Sequence, residues 1–349
     1  MNDVGLKALD VIHRTLVIDE PWTIRSERAF SWIGYRLAAR VEASPLFMSL
    51  DIPLSRVTTM IEVVEDVGAS AAEVEALLRT LNQLAIGAAY VFSPLDRTIT
   101  AMCAHNVHEE TVKWRPAELA SDHITALVLA ERHAEVLAER VKGRVARRTH
   151  PRSGERLAAD EMLNVLEEHY IPPGAEASHF GTEAEMTSVY GMVRDTYDFS
   201  AGASADGIAI EVAFGEDETT LIELKTKEPH PLVGHGLGVF MTVRVAPDLP
   251  KCCHLANKVN RRQFTPGETI AALGAWTVRT VGEQHYLARS RFIPNVNYAP
   301  GRAVDCAQSA IGQAIWVDQL FHPNLTRRSS LPNIAKRLRK ESPSVRGHS

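Results

Sequence analysis

"IGAAYVFSPLDRTITAMCA" (residues 86–104) and "LGAWTVRTVGEQHYLARSR" (residues 273–291) are built to one plan. In each, an aliphatic residue and a glycine lead into a run of small, aromatic and β-branched residues, then a polar turn and a second run of like length. A constant offset of 187 residues pairs Gly87 with Gly274, Val91 with Val278 and Ala101 with Ala288. Alternating runs on either side of a polar turn read as a β-hairpin. Two such hairpins raise the expectation of a repeated unit, which the flanking residues test.

Before the first hairpin, "AFSWIGYRLAARV" alternates Ile33, Tyr35, Leu37, Ala39 and Val41, which predicts one strand. "RVTTMIEVVED" predicts a second, with Val57, Thr59, Ile61 and Val63 on one side. "SPLFMSLDIPLS", between them, reads as an irregular or edge element, because Pro45 and Pro53 remove ladder donors. Ser70 and Glu73 have capping-box spacing ahead of a Val74, Leu77, Leu78, Leu81 stripe, which predicts a helix ending near Gly87. After the hairpin, Ser121 can cap a helix running to about Arg140, and residues 3–16 can hold another.

The second hairpin has similar neighbours. A helix is expected from about Arg156 to Tyr170, and another carries Met186, Val189, Tyr190, Val193 and Tyr197. Strands follow at "GIAIEVAF", "TLIELKTK" and "GVFMTVRV", then a helix with Cys252, Leu255 and Val259 on one stripe, the hairpin, and a helix from about Ala303 to Phe321. Both halves therefore read helix, three strands, helix, two strands, helix. Asn82 in "LLRTLNQL" and Asn260 in "LANKVNRR" fall at corresponding places near the middle helix's end. The expected fold class is α+β, with two tandem α-β-β-β-α-β-β-α units, each a twisted antiparallel sheet with helices mainly on one face. Residues 1–142 form the first unit and 143–155 a basic linker. Residues 156–325 form the second unit with an extra leading helix, and 326–349 a basic, disordered tail.

This order of elements, with the two Asn-containing helix ends and the two Gly-led hairpins, resembles the YbjN and type III secretion chaperone-like fold, here in tandem. The resemblance covers most of residues 15–322 and carries no catalytic signature. It implies noncatalytic protein handling: a protein client or regulatory partner, an intramolecular pseudo-dimer from the two copies, and a possible homodimer. The long loop in the first unit, the double helix before the second and the basic tail lie outside the family's simple pattern.

Composition agrees with a soluble globular chain. The 349 residues are 45% hydrophobic and 23% charged, and exceed what one core usually serves. The N-terminus lacks the positive start and apolar core of a signal peptide and no run is long enough for a membrane span, so a cytoplasmic location is expected. Cys103, Cys252, Cys253 and Cys306 then read as reduced, buried thiols. The net charge of -5 hides two basic stretches, residues 140–156 and 326–349, each with seven Arg or Lys and one acid. Neither carries the interleaved aromatics of a base-stacking surface, so nucleic acid is not an expected partner.

The expected partner surface comes from strand alternation. With Trp276, Val278, Tyr286, Ala288 and Phe292 toward the helices, Thr277, Arg279, Arg289 and Arg291 face outward. The corresponding outward residues of the first unit are Tyr90, Phe92 and Met102, an apolar patch that should meet the second unit or a client. The opposite assignment, with Tyr90 and Phe92 in the core, stays open on sequence alone.

No catalytic residue, metal or cofactor is expected. Glu223-Leu224-Lys225 matches the E-x-K half of a PD-(D/E)xK nuclease, in which carboxylates hold Mg²⁺ and the lysine assists water. The preceding acid is missing, since Asp217 lies only six residues upstream in an expected turn. "HNVHEE" brings His105, His108 and Glu109 together without the H-E-x-x-H spacing. "HPLVGHGLGVF" leads into a strand and lacks a phosphate-binding pattern, so its glycines read as loop punctuation. A metal-dependent nuclease around Glu223 and Lys225, and a small-ligand sensor in the cleft between units, are the alternatives to protein binding.

Overall fold

The computed structural model describes residues 3–49, 52–114, 116–164, 177–197, 199–204, 206–216, 218–244, 248–265 and 267–323. In the first half the order is α1 (Val4–Thr15), β1 (Thr23–Ser26), β2 (Ala29–Ile33), β3 (Ala38–Ala43), β4 (Phe47–Ser49), β5 (Ile52–Glu65), α2 (Ala71–Gln83), β6 (Ala89–Ser93), β7 (Thr98–Val107), α3 (Glu109–Trp114), α4 (Pro116–Arg140) and β8 (Arg144–Val145). The second half holds α5 (Glu183–Met192), β9 (Ser200–Ser204), β10 (Gly207–Phe214), β11 (Glu218–Lys225), β12 (Gly236–Arg244), α6 (Leu249–Gln263), β13 (Ala275–Val281), β14 (Gln284–Pro294) and α7 (Arg302–Phe321). The fold is α+β.

Local chemistry sets the helix starts. Ser70 and Glu73 form the expected capping box on α2, and the side chains of Asp3, Thr182 and Asp248 accept from first-turn amides of α1, α5 and α6. α7 begins at Gly301 without a side-chain cap of its own. The Glu185 carboxylate serves instead, accepting from Gly301 N at 2.7 Å and Ala303 N at 3.4 Å.

Each half builds one antiparallel sheet. The first runs β1-β2-β3-β5-β7-β6, with β4 and β8 paired to β5, and the second runs β13-β14-β12-β11-β10-β9. In both, four strands of the sheet path (β1, β2, β3 and β5; β9 to β12), one more than expected, are followed by a helix and a hairpin whose second strand lies beside the fourth (β7 on β5, β14 on β12). Phe30, Trp32, Ile61, Ile99 and Leu127 fill the core between the first sheet and α1 and α4. Ile210, Ile222, Val239, Trp276 and Ile311 fill the second, beneath α7. α2 and α6 pack on one another between the sheets and touch both hairpins.

Three expectations need correction. The strand expected through Ile33–Val41 is two strands, because the chain turns over residues 34–37 at Gly34. Residues 143–155 do not form a free linker. β8 extends along β5, Arg144 pairs with Asp66, and Arg148 pairs with Glu62, so acids of the first half neutralise this basic stretch. Arg156–Asp160 is not helical: Arg156 pairs with Asp19 at 3.1 Å and Asp160 at 2.7 Å, and Leu163 joins the first core. Glu161–Asn164 form a single 3-10 turn, and residues 165–170 of that expected helix and the tail from 326 lie outside the described residues. No helix among the described residues is long and apolar enough to cross a membrane.

Candidate functional site

The residues that opened the sequence reading meet at the junction of the two halves. Asn82 brackets Tyr90, accepting from its N–H at 2.8 Å and donating to its carbonyl at 2.9 Å, and Asn260 does the same for Trp276 at 2.8 Å each way. Two residues along each edge, the other half supplies the amide. Asn257 of α6 accepts from Phe92 N and donates to Phe92 O at 2.9 and 3.1 Å, while Gln83 of α2 donates to Val278 O at 2.8 Å. Unpaired strand edges invite further pairing, and these side-chain amides close β6 and β13.

The segments ahead of the two hairpins also exchange. Ala272 pairs with Ala104 of the first sheet at 2.8 and 2.9 Å, and Ala85 accepts from Phe292 of the second at 2.9 Å. Between them Gly274 N donates to Gly87 O at 2.7 Å.

The expected outward residues divide differently. Directly paired residues share a face, and the pairs are Tyr90 with Ala101 and Trp276 with Arg289. Both turns hold an even number of residues, so residue parity changes across each hairpin. On β6 the residue that matches Trp276 is Tyr90, which its asparagine brackets, so the strands align one position away from the constant sequence offset; Tyr90 and Phe92 lie in the first core, 6% and 3% exposed, with the Tyr90 hydroxyl 2.8 Å from His133 Nδ1. Met102 is on the opposite face, packed with Ala89, Val91, Ala275 and Phe264 at the junction. Arg289 and Arg291 face the helix side and are buried; Arg289 donates to Leu273 O, and burial, then Arg291, pushes its pKa down. Of the six residues, Arg279 alone faces outward with a half-exposed side chain.

Arg291 enters a buried charge network that has no local sequence signature. Asp122 on α4 lies 3.2 Å from His105 on β7 and 3.6 Å from Arg291 on β14, and Glu118 pairs with Arg302 at the start of α7. Burial pushes the Asp122 carboxyl up, but His105 and the arginines outweigh it and hold the pKa below its ordinary value. Donor atoms of His105, Glu118 and Asp122 lie within 4.8 Å of one another, close enough to hold a cation. The two carboxylates already face two guanidinium groups, so a divalent ion would add uncompensated charge, and an ion-pair network is the better physical description.

Two features reach solvent. In the first half, β4 and the start of β5 form a ribbon, with Phe47 opposite Leu54, Met48 opposite Pro53 and Ser49 opposite Ile52. Met48 is 65% and Ile52 40% exposed. The root of this apolar arm is held firmly, since Arg56 Nη2 donates to Gln263 O at 2.7 Å and Nη1 to Ile270 O, both in the second half. Burial lowers the Arg56 pKa to about 10. The stretch forms the edge element expected of it, but no pattern in the sequence marked Met48 and Ile52 as exposed.

In the second half, Glu223 and Lys225 lie on the face away from α7. Arg279 Nη1 donates to Glu223 Oε2 at 2.6 Å, and Lys225 Nζ is 3.8 Å from Glu223 and 3.7 Å from Glu228. Among the described residues no metal-holding group includes Glu223; Asp217 lies outside them. The arrangement is a salt-bridged surface beside a cavity of about 250 Å³. No protein-family model, curated protein or solved structure matches the chain.

Proposed function

We propose that the chain is a noncatalytic protein-binding module, chaperone-like or a regulatory adaptor, in which two duplicated α+β units of like strand order form an intramolecular pseudo-dimer and the ribbon of β4 and the start of β5 holds an unfolded polypeptide client. The arm carries this reading. Self-contained proteins seldom leave large apolar side chains bare on a projecting ribbon, and this one exposes Met48 on one face and Ile52 on the other, so an extended, apolar segment could pair along β4 and meet either side chain. The equal strand order of the sheets and the paired Asn82 and Asn260 brackets support duplication. The Glu223 carboxylate is engaged by Arg279, and among the described residues no metal-holding group includes it, which weighs against the nuclease alternative.

The test is suppression of aggregation of a chemically unfolded model protein. The wild-type chain should delay aggregation, and Met48→Asp with Ile52→Asp should abolish the delay while changing unfolding stability by no more than about 0.5 kcal/mol, as for ordinary surface substitutions. Equal protection by both proteins, or none by either, removes the reading.

A further inference from the structure

We propose that the cavity on the outer face of the second sheet binds a small carboxylate with an apolar body, seated against both halves of the chain. The floor arises from a close approach in β12. The Phe240 ring lies down over Gly238, where an added Cβ would come within 2.5 Å of a ring carbon, so only glycine lets the ring lie flat. Ala288 on β14 continues that floor, and Gln83, the last residue of α2, contributes a wall from the first half. Its side chain is tied down by the bond to Val278 O, and its carbonyl accepts from Ser290 Oγ at 2.8 Å. A ligand would therefore meet a preformed surface.

Charge chooses the ligand. Lys225 Nζ sits 5.8 Å from the Phe240 ring centroid, with its side chain only 18% exposed. Its two carboxylate partners, at 3.8 and 3.7 Å, are beyond hydrogen-bond distance. Glu228 is 65% exposed and solvated at the rim. The cavity is lined by the cations Lys225, Arg279 and the buried Arg289 against the carboxylate of Glu228, and Glu223 beside it pairs with Lys225 and Arg279, so three positive charges meet two negative ones. Arg279 uses Nη1 on Glu223, and its side chain is half-exposed. The Thr242 hydroxyl lines the same cavity, buried and without a partner. A carboxylate between Lys225 and Arg279 completes the charge, and a flat or aliphatic body of about ten non-hydrogen atoms fills the volume over Phe240.

Binding to the folded state raises the melting temperature by mass action. The full chain is heated with benzoate, 3-phenylpropionate and hexanoate, and with their uncharged amides. The acids should raise the melting temperature in a saturable way and the amides should not. Lys225→Met should weaken the acids by roughly tenfold or more, Lys225→Arg should restore part of that loss, and Phe240→Ala should weaken 3-phenylpropionate more than hexanoate. Calorimetric titration of the same variants at 20 °C separates lost binding from lost stability. Acids and amides acting alike, no acid binding, or Lys225→Met binding as wild type each overturns the proposal.

Discussion

The two hairpins share their backbone chemistry and little of their side-chain content. On β6 and β13 an asparagine of the same half brackets one edge residue, and an amide of the other half reaches the residue two further on. The side chains directed to the cores are Tyr90 and Phe92 in one half and Trp276 and Val278 in the other; across the turns, Ala101 corresponds in pairing to the buried Arg289. Closing a strand edge is a demand that any sheet must meet, whereas many side chains fill a core or dress a surface. One half could thus keep an apolar arm and the other a charged cavity around a common frame.

The largest break in this parallel should come at Asp122. Replacing it by alanine leaves His105 and Arg291 without their carboxylate in a buried site, which should cost about 3–5 kcal/mol in urea unfolding at neutral pH. Because its folded pKa is depressed, the contribution is complete above the ordinary carboxylate value of 3.8 and fades as pH falls through the folded value. Wild type should therefore lose stability more steeply than Asp122→Asn below about pH 4. Equal slopes would mean that the network does not hold the junction.

The parallel itself is sharpened by Asn82→Leu and Asn260→Leu. Each removes two hydrogen bonds to edge backbone, and each should cost about 2–5 kcal/mol, by similar amounts if the two brackets do equal work. A large effect in one half and almost none in the other would end the comparison.

The smallest effects separate the two glycines. Gly274 has φ +85°, and an added Cβ would lie 2.5 Å from Ser290 O; at Gly87 it would press only on Asp122 Oδ1 at 3.2 Å. Gly274→Ala should cost about 2–3 kcal/mol and Gly87→Ala about 1 kcal/mol by chemical denaturation. The reverse order would show that the Asp122 side cannot yield.

Elements governed by neighbours in sequence were legible. The Ser70–Glu73 box, the α2 and α6 stripes and both hairpins form where spacing places them, and Asn82 and Asn260 occupy corresponding positions. The candidate surface was read less well. Arg279 faces outward as expected, but Arg289 and Arg291 do not, because parity carried across a turn depends on how many residues close it, and Tyr90 and Phe92 do not, because β6 and β13 align one residue away from the constant sequence offset. His105 stood out within a histidine-rich stretch, while Asp122 and Arg302 had no pattern to mark them.

The order of elements follows from the chain's own letters, since capping, periodicity and turn chemistry act over a few residues. Tertiary structure alone decided the rest: which edge each amide closes, that the basic stretch after α4 lies along β5, and that Asp122 meets Arg291. Those contacts join residues from 78 to 195 positions apart. Their stability depends on desolvation and charge pairing that exist only once both sheets have come together.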